Sequence, residues 1–284
     1  MAFSFDTAYA GLVVGPMTAR KGYLDHVNRS GEIPDGAAYG AISIQYIASV
    51  TAIDFVDGTM VTDGNTTTAV PGVYVDKGVV TSLPPKEARS KFASGPWVTK
   101  MLAKHADALY TVAQNTIIAA LKAATPAQTS TLPTGQIDFY AADTSEILIN
   151  LQHASKAVGY MFANFGQYSP GQFAIAMPTT AWSYFTAMRA VGVNSPQYFA
   201  DTGMYMFMGV PIYAIPGATN FGGANYECMF VTHGDSLLFV MDDPALHSGA
   251  PIYATDGYVK WITKAPFAYA VINNYFTQVL NPAS

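Results

Sequence analysis

The stretch SGPWVTKMLAKHADALYTVAQNTIIAALKAA, Ser94 to Ala124, decides how the rest of the chain is arranged. Pro96 stands where a helix tolerates it, in the first turn, behind Ser94 or Gly95 as the cap. From Trp97 onward neither Gly nor Pro occurs until Pro126. Apolar residues recur at Trp97, Met101, Ala108, Val112 and Ala119, with Val98, Leu102, Leu109 and Leu121 alongside. That spacing predicts an amphipathic helix with a broad apolar stripe. At about 1.5 Å per residue such a rod is roughly 43 Å long. A helix of this length spans a small domain, so other elements must pack along it.

Composition limits what those elements build. The chain of 284 residues has ample material for a core. Charged residues make up 12% of it, where about 25% is ordinary. Aromatic residues reach 13% and apolar residues 50%. So few charges cover a free-standing surface poorly, which implies extensive burial against other chains. A membrane is not the explanation, because the longest charge-free stretch, 157–188, is broken by Asn164, Gln167, Pro170 and Pro178. The N-terminus lacks the basic-then-apolar order of a signal peptide, so the expected compartment is the cytoplasm. Cys228 has no second cysteine to pair with and reads as a buried thiol. The net charge of −5 falls entirely in residues 123–284. Lys86, Arg89, Lys91, Lys100 and Lys104 cluster at the start of the rod, as a polyanion contact or as a solvated, salt-bridged helix face.

Before the rod, residues 1–36 are punctuated by glycines and read as an arm without a core of its own. Ile42, Ile44 and Tyr46 alternate with polar residues, and Ile53 and Phe55 continue the pattern. Asp63-Gly64-Asn65 is a turn, followed by the Thr- and Val-rich run Thr66 to Val75. Residues 48–80 are therefore expected as a two-stranded excursion, which needs a neighbour to lie on. Leu83-Pro84-Pro85 is expected as a stiff link into the rod. After the rod, Asp143 and Glu146 open a second helix ending near Gly166. Phe173 to Met177 reads as a buried strand. Pro178 opens a third helix, Thr179 to Val191. Short strands follow at 205–208, 210–215, 226–232 and 236–241. Asp256-Gly257 joins two more as a hairpin, and Phe267 to Leu280 reads as one long last strand. Helices segregate from strands, so the class is α+β.

Signs of chemistry are few. His26, His105, His153, His233 and His247 are scattered, with no metal-ligand spacing. Thr232-His233-Gly234-Asp235-Ser236 gathers triad residue types, but Leu238 stands where G-x-S-x-G needs its second glycine. A hydrolase using His233 and Ser236 is the competing reading of another class; a polar turn is the plainer one. Asp242-Asp243-Pro244 reads as a turn before it reads as a cation site. No phosphate-binding glycine loop occurs. No catalytic residue, cofactor or metal is expected.

The order of parts resembles the major capsid proteins of tailed bacteriophages, the Hong Kong 97-like shell fold. Local likenesses lie between Gly171 and Leu280: Phe173-Ala-Ile-Ala-Met-Pro-Thr-Thr-Ala-Trp182, Gly209-Val-Pro-Ile-Tyr-Ala-Ile-Pro216, and Ala265-Pro-Phe-Ala268. The resemblance implies an N-terminal arm at 1–36, an extended loop at 37–85 and a peripheral domain with the spine helix at 86–135. It implies an axial domain at 136–250 and return strands of the peripheral domain at 251–284. It further implies self-assembly into pentamers and hexamers that close an icosahedral shell. Double-stranded DNA would be packed inside without sequence specificity, after assembly in a host cytoplasm. Portal and scaffolding proteins are the expected partners, with no membrane; a decoration protein is an open question. Asp63, Gly64, Asn65, Thr66, Lys77 and Trp97 are the expected assembly-interface residues. Some members of the family cross-link through Lys and Asn, but no motif carries that role onto Lys77, Asn273 or Asn274. An encapsulin-like nanocompartment shares the fold and is the close alternative.

Overall fold

The computed structural model describes residues 22–26, 42–49, 66–124, 128–129, 137, 143–164, 170–188, 195–215, 228–241, 252–264, 266–271 and 276–280. The rod is present as Gly95–Ala123. A short helix, α1 (Pro85–Lys91), precedes it, so the rod is α2. Helix α1 corrects the expectation of a stiff Pro-Pro link. Pro84 stays extended as its cap and Pro85 takes the first helical position, where a missing N–H costs nothing. At the start of α2 the Ser94 side chain makes no capping bond; its carbonyl accepts the Trp97 and Val98 amides at 3.1 and 3.0 Å.

The buried stripe of α2 is rotated from the one the apolar count predicts. Val98, Leu102, His105, Leu109, Ala113, Ile117 and Leu121 are buried, each three or four residues from the next. Ala108, Val112 and Ala119 face outward, and Trp97 is half-buried. Alanine is at home on either face, so it misplaces the stripe. His105 and Gln114, both buried, are polar residues that such a count omits.

Two clusters of buried side chains lie on opposite faces of one sheet. Its seven strands run in the order β4 (Gln128–Thr129), β14 (Phe276–Leu280), β9 (Cys228–His233), β5 (Phe173–Pro178), β8 (Val210–Ile215), β7 (Met204–Phe207), β6 (Gln197–Phe199). Side chains alternate across a strand, and β5 sorts them by size. Phe173, Ile175 and Met177 enter the cluster with α3 (Thr144–Asn164) and α4 (Thr179–Ala187). Ala174 and Ala176 enter the cluster with α2. Two small residues there let the rod pack close to the sheet. Helix α4 is described only as far as Ala187, with Met188 continuing it as a 3-10 turn; the rest of the expected run to Val191 lies outside the described residues.

The excursion is a hairpin of β1 (Ile42–Ser49) and β2 (Thr66–Val75), antiparallel from Ile42↔Gly72 to Ser49↔Thr66. Its neighbour is β13 (Phe267–Val271), which takes Val73 to Val75 and in turn pairs with β10 (Leu237–Met241). Next, β3 (Gly78–Leu83) pairs with β12 (Val259–Lys264), which carries β11 (Ile252–Tyr253) on its other edge. The expected turn joins β11 to β12: Gly257 has φ +80°, and the Tyr258 amide donates to Asp256 Oδ1 at 3.1 Å. The expected single last strand is instead two. Strand β13 belongs to the four-stranded sheet of the excursion, and β14 pairs with β9 in the seven-stranded sheet. Continuous β-forming residues announce extended backbone but not a change of partner.

Candidate functional site

Among the described residues no group of three or more metal-ligating side chains gathers, and the candidate site is the surface open to neighbours. Of the six expected interface residues, Asp63, Gly64 and Asn65 lie outside the described residues. Thr66 opens β2 opposite Ser49, just past a register shift in β1. Lys77 is exposed on the two-residue link between β2 and β3. Beside it, Asp76 stands 4.0 Å from Lys264 of β12, a solvent-exposed pair worth little by itself.

Trp97 is partly committed to packing. Its ring lies 5.5 Å from Phe92, which lies 5.4 Å from Trp261 of β12. Lys91 Nζ sits 5.9 Å from the centre of the Trp97 ring. This cluster joins α1, α2 and the three-stranded sheet at the base of the excursion. Of the basic cluster, Lys91 is paired within its own helix, to Glu87 at 3.0 Å, as a solvated helix face would have it.

A second junction was not legible in sequence. His105 of α2 is 4% exposed and sits between two strands. Its Nε2 is 2.7 Å from the Thr81 hydroxyl on β3, and its Nδ1 is 2.8 Å from the Thr263 hydroxyl on β12. A neutral imidazole donates at one nitrogen and accepts at the other, and the two hydroxyls take the complementary roles. Burial holds the imidazole below its ordinary pKa. The signal was only a lone histidine on an apolar face.

The N-terminal segment is anchored as well. A 3-10 turn, Tyr23–His26, lies against the α2 face of the sheet. Tyr23, 1% exposed, donates to Thr232 Oγ1 at 3.0 Å, and burial pushes its phenol well above its usual range. His26 Nε2 and the Tyr213 hydroxyl share a further hydrogen bond. A Cβ at Gly22 would run into the Tyr110 hydroxyl, so a larger residue there forces a shift.

His233 and Ser236 do not form a reactive pair at the surface. Both are buried, at 4% and 1%, and His233 packs edge-on against Phe173 at 5.1 Å. Residues 242–250, which hold Asp242, Asp243 and His247, lie outside the described residues.

What the described surface does offer is apolar area. On the three-stranded sheet Val80 and Ile252 are 50% and 52% exposed. Ile262, in register with Val80, shares that outer face. At the free edge of the seven-stranded sheet Tyr198 and Phe199 of β6 are exposed, and so is Met208 in the tight turn between β7 and β8. Met208 holds φ +53°, a left-handed conformation that is uncommon for a bulky side chain. On α3, Leu148 and Ile149 are exposed. Among the described residues, large apolar side chains are thus exposed on several separate faces.

No family model and no curated protein matches the chain. Solved structures do. A structure from Mycobacterium phage Che8 matches 90% of this chain and 89% of its own at a TM-score of 0.52 and 14% identity. A virus-like particle from Pyrococcus furiosus matches over 96% and 97%, at 0.54 and 11% identity. The capsid of an empty GTA particle matches over 93% and 91%, at 0.55 and 10% identity. The chain has the Hong Kong 97-like shell fold. The long helix α2 and the β1–β2 hairpin are the expected spine helix and extended hairpin of that fold.

Proposed function

We propose that the chain is the major capsid protein of a tailed bacteriophage. Copies join into pentamers and hexamers, which close an icosahedral shell around double-stranded DNA. The observation that carries this is the match of fold over nine-tenths or so of both chains. Sparse charge and apolar side chains on separate faces support it, because a subunit in a closed shell is covered from several sides at once. In this reading residues 37–85 lie over a neighbouring subunit, residues 136–250 face the capsomer axis, and Asp63 to Thr66, Lys77 and Trp97 contribute contacts. Portal and scaffolding proteins complete the assembly in the host cytoplasm.

The test is the content of purified particles. Shells holding double-stranded DNA that resists nuclease support the proposal. One observation favours a second reading: the particle from Pyrococcus furiosus matches nearly the whole of both chains. Shells that hold a co-purifying enzyme and no genome would establish an encapsulin-like compartment instead.

A further inference from the structure

Positive charge is concentrated in one short part of a chain whose net charge is −5. Residues 85–107 hold five basic and two acidic side chains. Of the two acidic groups, Glu87 is taken up by Lys91 at 3.0 Å, and Asp107 is half-buried. The four remaining cations, Lys86 and Arg89 of α1 with Lys100 and Lys104 of α2, are exposed. None of these four makes an ion pair or hydrogen bond among the described residues.

The helix period lines the cations up. At about 100° per residue, Lys104 lies about 20° from Trp97 around α2, and Lys100 about 60° away on the same side. Lys91 Nζ lies over the Trp97 ring. Lys91, Lys100 and Lys104 therefore form one stripe, roughly 10 Å long, on the outward side of the rod. Helix α1 ends against the start of this stripe through the contact of Phe92 with Trp97, and it carries Lys86 and Arg89.

The face lacks what a protein partner needs. Lysine is depleted at protein–protein interfaces, whose centres are apolar and aromatic. Among residues 85–108 no large apolar side chain is exposed; those lie on the sheets, on α3 and further along α2. Unpaired ammonium groups on a rigid rod suit a polyanion, whose phosphates they neutralise with release of counterions. Lysine acts as a point charge, so such a face holds the phosphate backbone and reads no base. Single strands need exposed aromatic rings to stack on, and this face exposes none.

We propose that α1 and the first turns of α2 form the face that meets the packaged double-stranded DNA, through its phosphates. This rests on the capsid reading above and adds which side of the subunit is turned inward. A subunit of net −5 repels DNA as a whole. Unpaired cations gathered on the inward face reverse the sign where the two surfaces meet.

The test uses the full-length chain, as subunits dissociated from particles, and a short labelled DNA duplex in two unrelated sequences. Fluorescence anisotropy should show equal affinity for both sequences, falling steeply between about 50 and 200 mM salt. The double variant Lys100→Gln, Lys104→Gln should melt at the wild-type temperature. It should bind about tenfold more weakly, with the slope of log K against log salt reduced by about two. The control Lys260→Gln, Lys264→Gln changes the net charge equally but removes cations already paired to Asp256 and Asp76; it should bind as the wild type does. Equal loss in both variants, or wild-type binding that ignores salt, overturns the proposal. Electron microscopy separates the occupants. The Lys100, Lys104 variant should still close shells, and failure to do so would make the face a contact with a second copy and overturn the proposal. Wild-type particles that hold an enzyme and no genome would overturn the capsid reading alone, because the duplex titration reads the face independently.

Discussion

His105 is where one side chain ties three elements, and its charge state sets the strength of that tie. Folded, the buried imidazole resists protonation; unfolded, it titrates near its ordinary value of about 6.5. Between the two values the unfolded chain binds more protons, so acid favours unfolding. The contribution is therefore fully present above about pH 6.5 and is lost as pH falls from there towards the lower folded value. Thermal melts between pH 7.5 and 5 should show the wild type losing more stability than His105→Gln, whose melting temperature should depend less on pH in that window. An equal slope in both proteins would assign the acid sensitivity to other groups. Gly22 makes a steric prediction. Gly22→Ala drives a methyl into the Tyr110 hydroxyl, and overpacking of this kind costs about 1–3 kcal/mol. Denaturant melts should register that loss, and Tyr110→Phe in the same chain should recover part of it.

At the scale of elements, the rod was legible because nearly thirty residues without Gly or Pro leave a helix as the sole regular option. Its orientation was not, because Ala108 and Ala119 counted as apolar although they face outward, while buried His105 and Gln114 did not count. Helix α1 was hidden by Pro84-Pro85, a pair that stiffens a link as readily as it starts a helix. Val112 tests the rod cleanly. It is 36% exposed, so Val112→Ala removes little packing and should leave the melting temperature within a few degrees of the wild type. Val112→Pro acts on the backbone alone and costs about 3 kcal/mol or more. Because α2 packs on both the seven-stranded sheet and the strands at the base of the excursion, that loss should appear as insoluble or unfolded subunit. A soluble Val112→Pro subunit with wild-type circular dichroism would mean that α2 is not the spine of the fold.

For the whole molecule, the order of parts could be read in the chain, but the pairing of strands could not. Phe267 to Leu280 shows why: β13 and β14 lie in one run of β-forming residues, yet they join different sheets. That exchange is decided by which edge is free, a fact of tertiary structure. The surface followed from composition, since 12% charge leaves too few ionic side chains to cover it. The particular faces, Val80 with Ile252 and Tyr198 with Phe199, needed the fold. The excursion gives the assembly prediction. Deleting residues 63–67 should leave the melting temperature of the subunit unchanged, because the pairing of β2 with β13 lies at the other end of the ribbon. Shell yield should fall, and unchanged yield would mean that the loop makes no essential contact. Assembly itself is the central claim, and electron microscopy of the purified, full-length protein reads it most directly. The expected image is of closed shells or ring-shaped capsomers; a protein that stays monomeric at micromolar concentration would contradict the account.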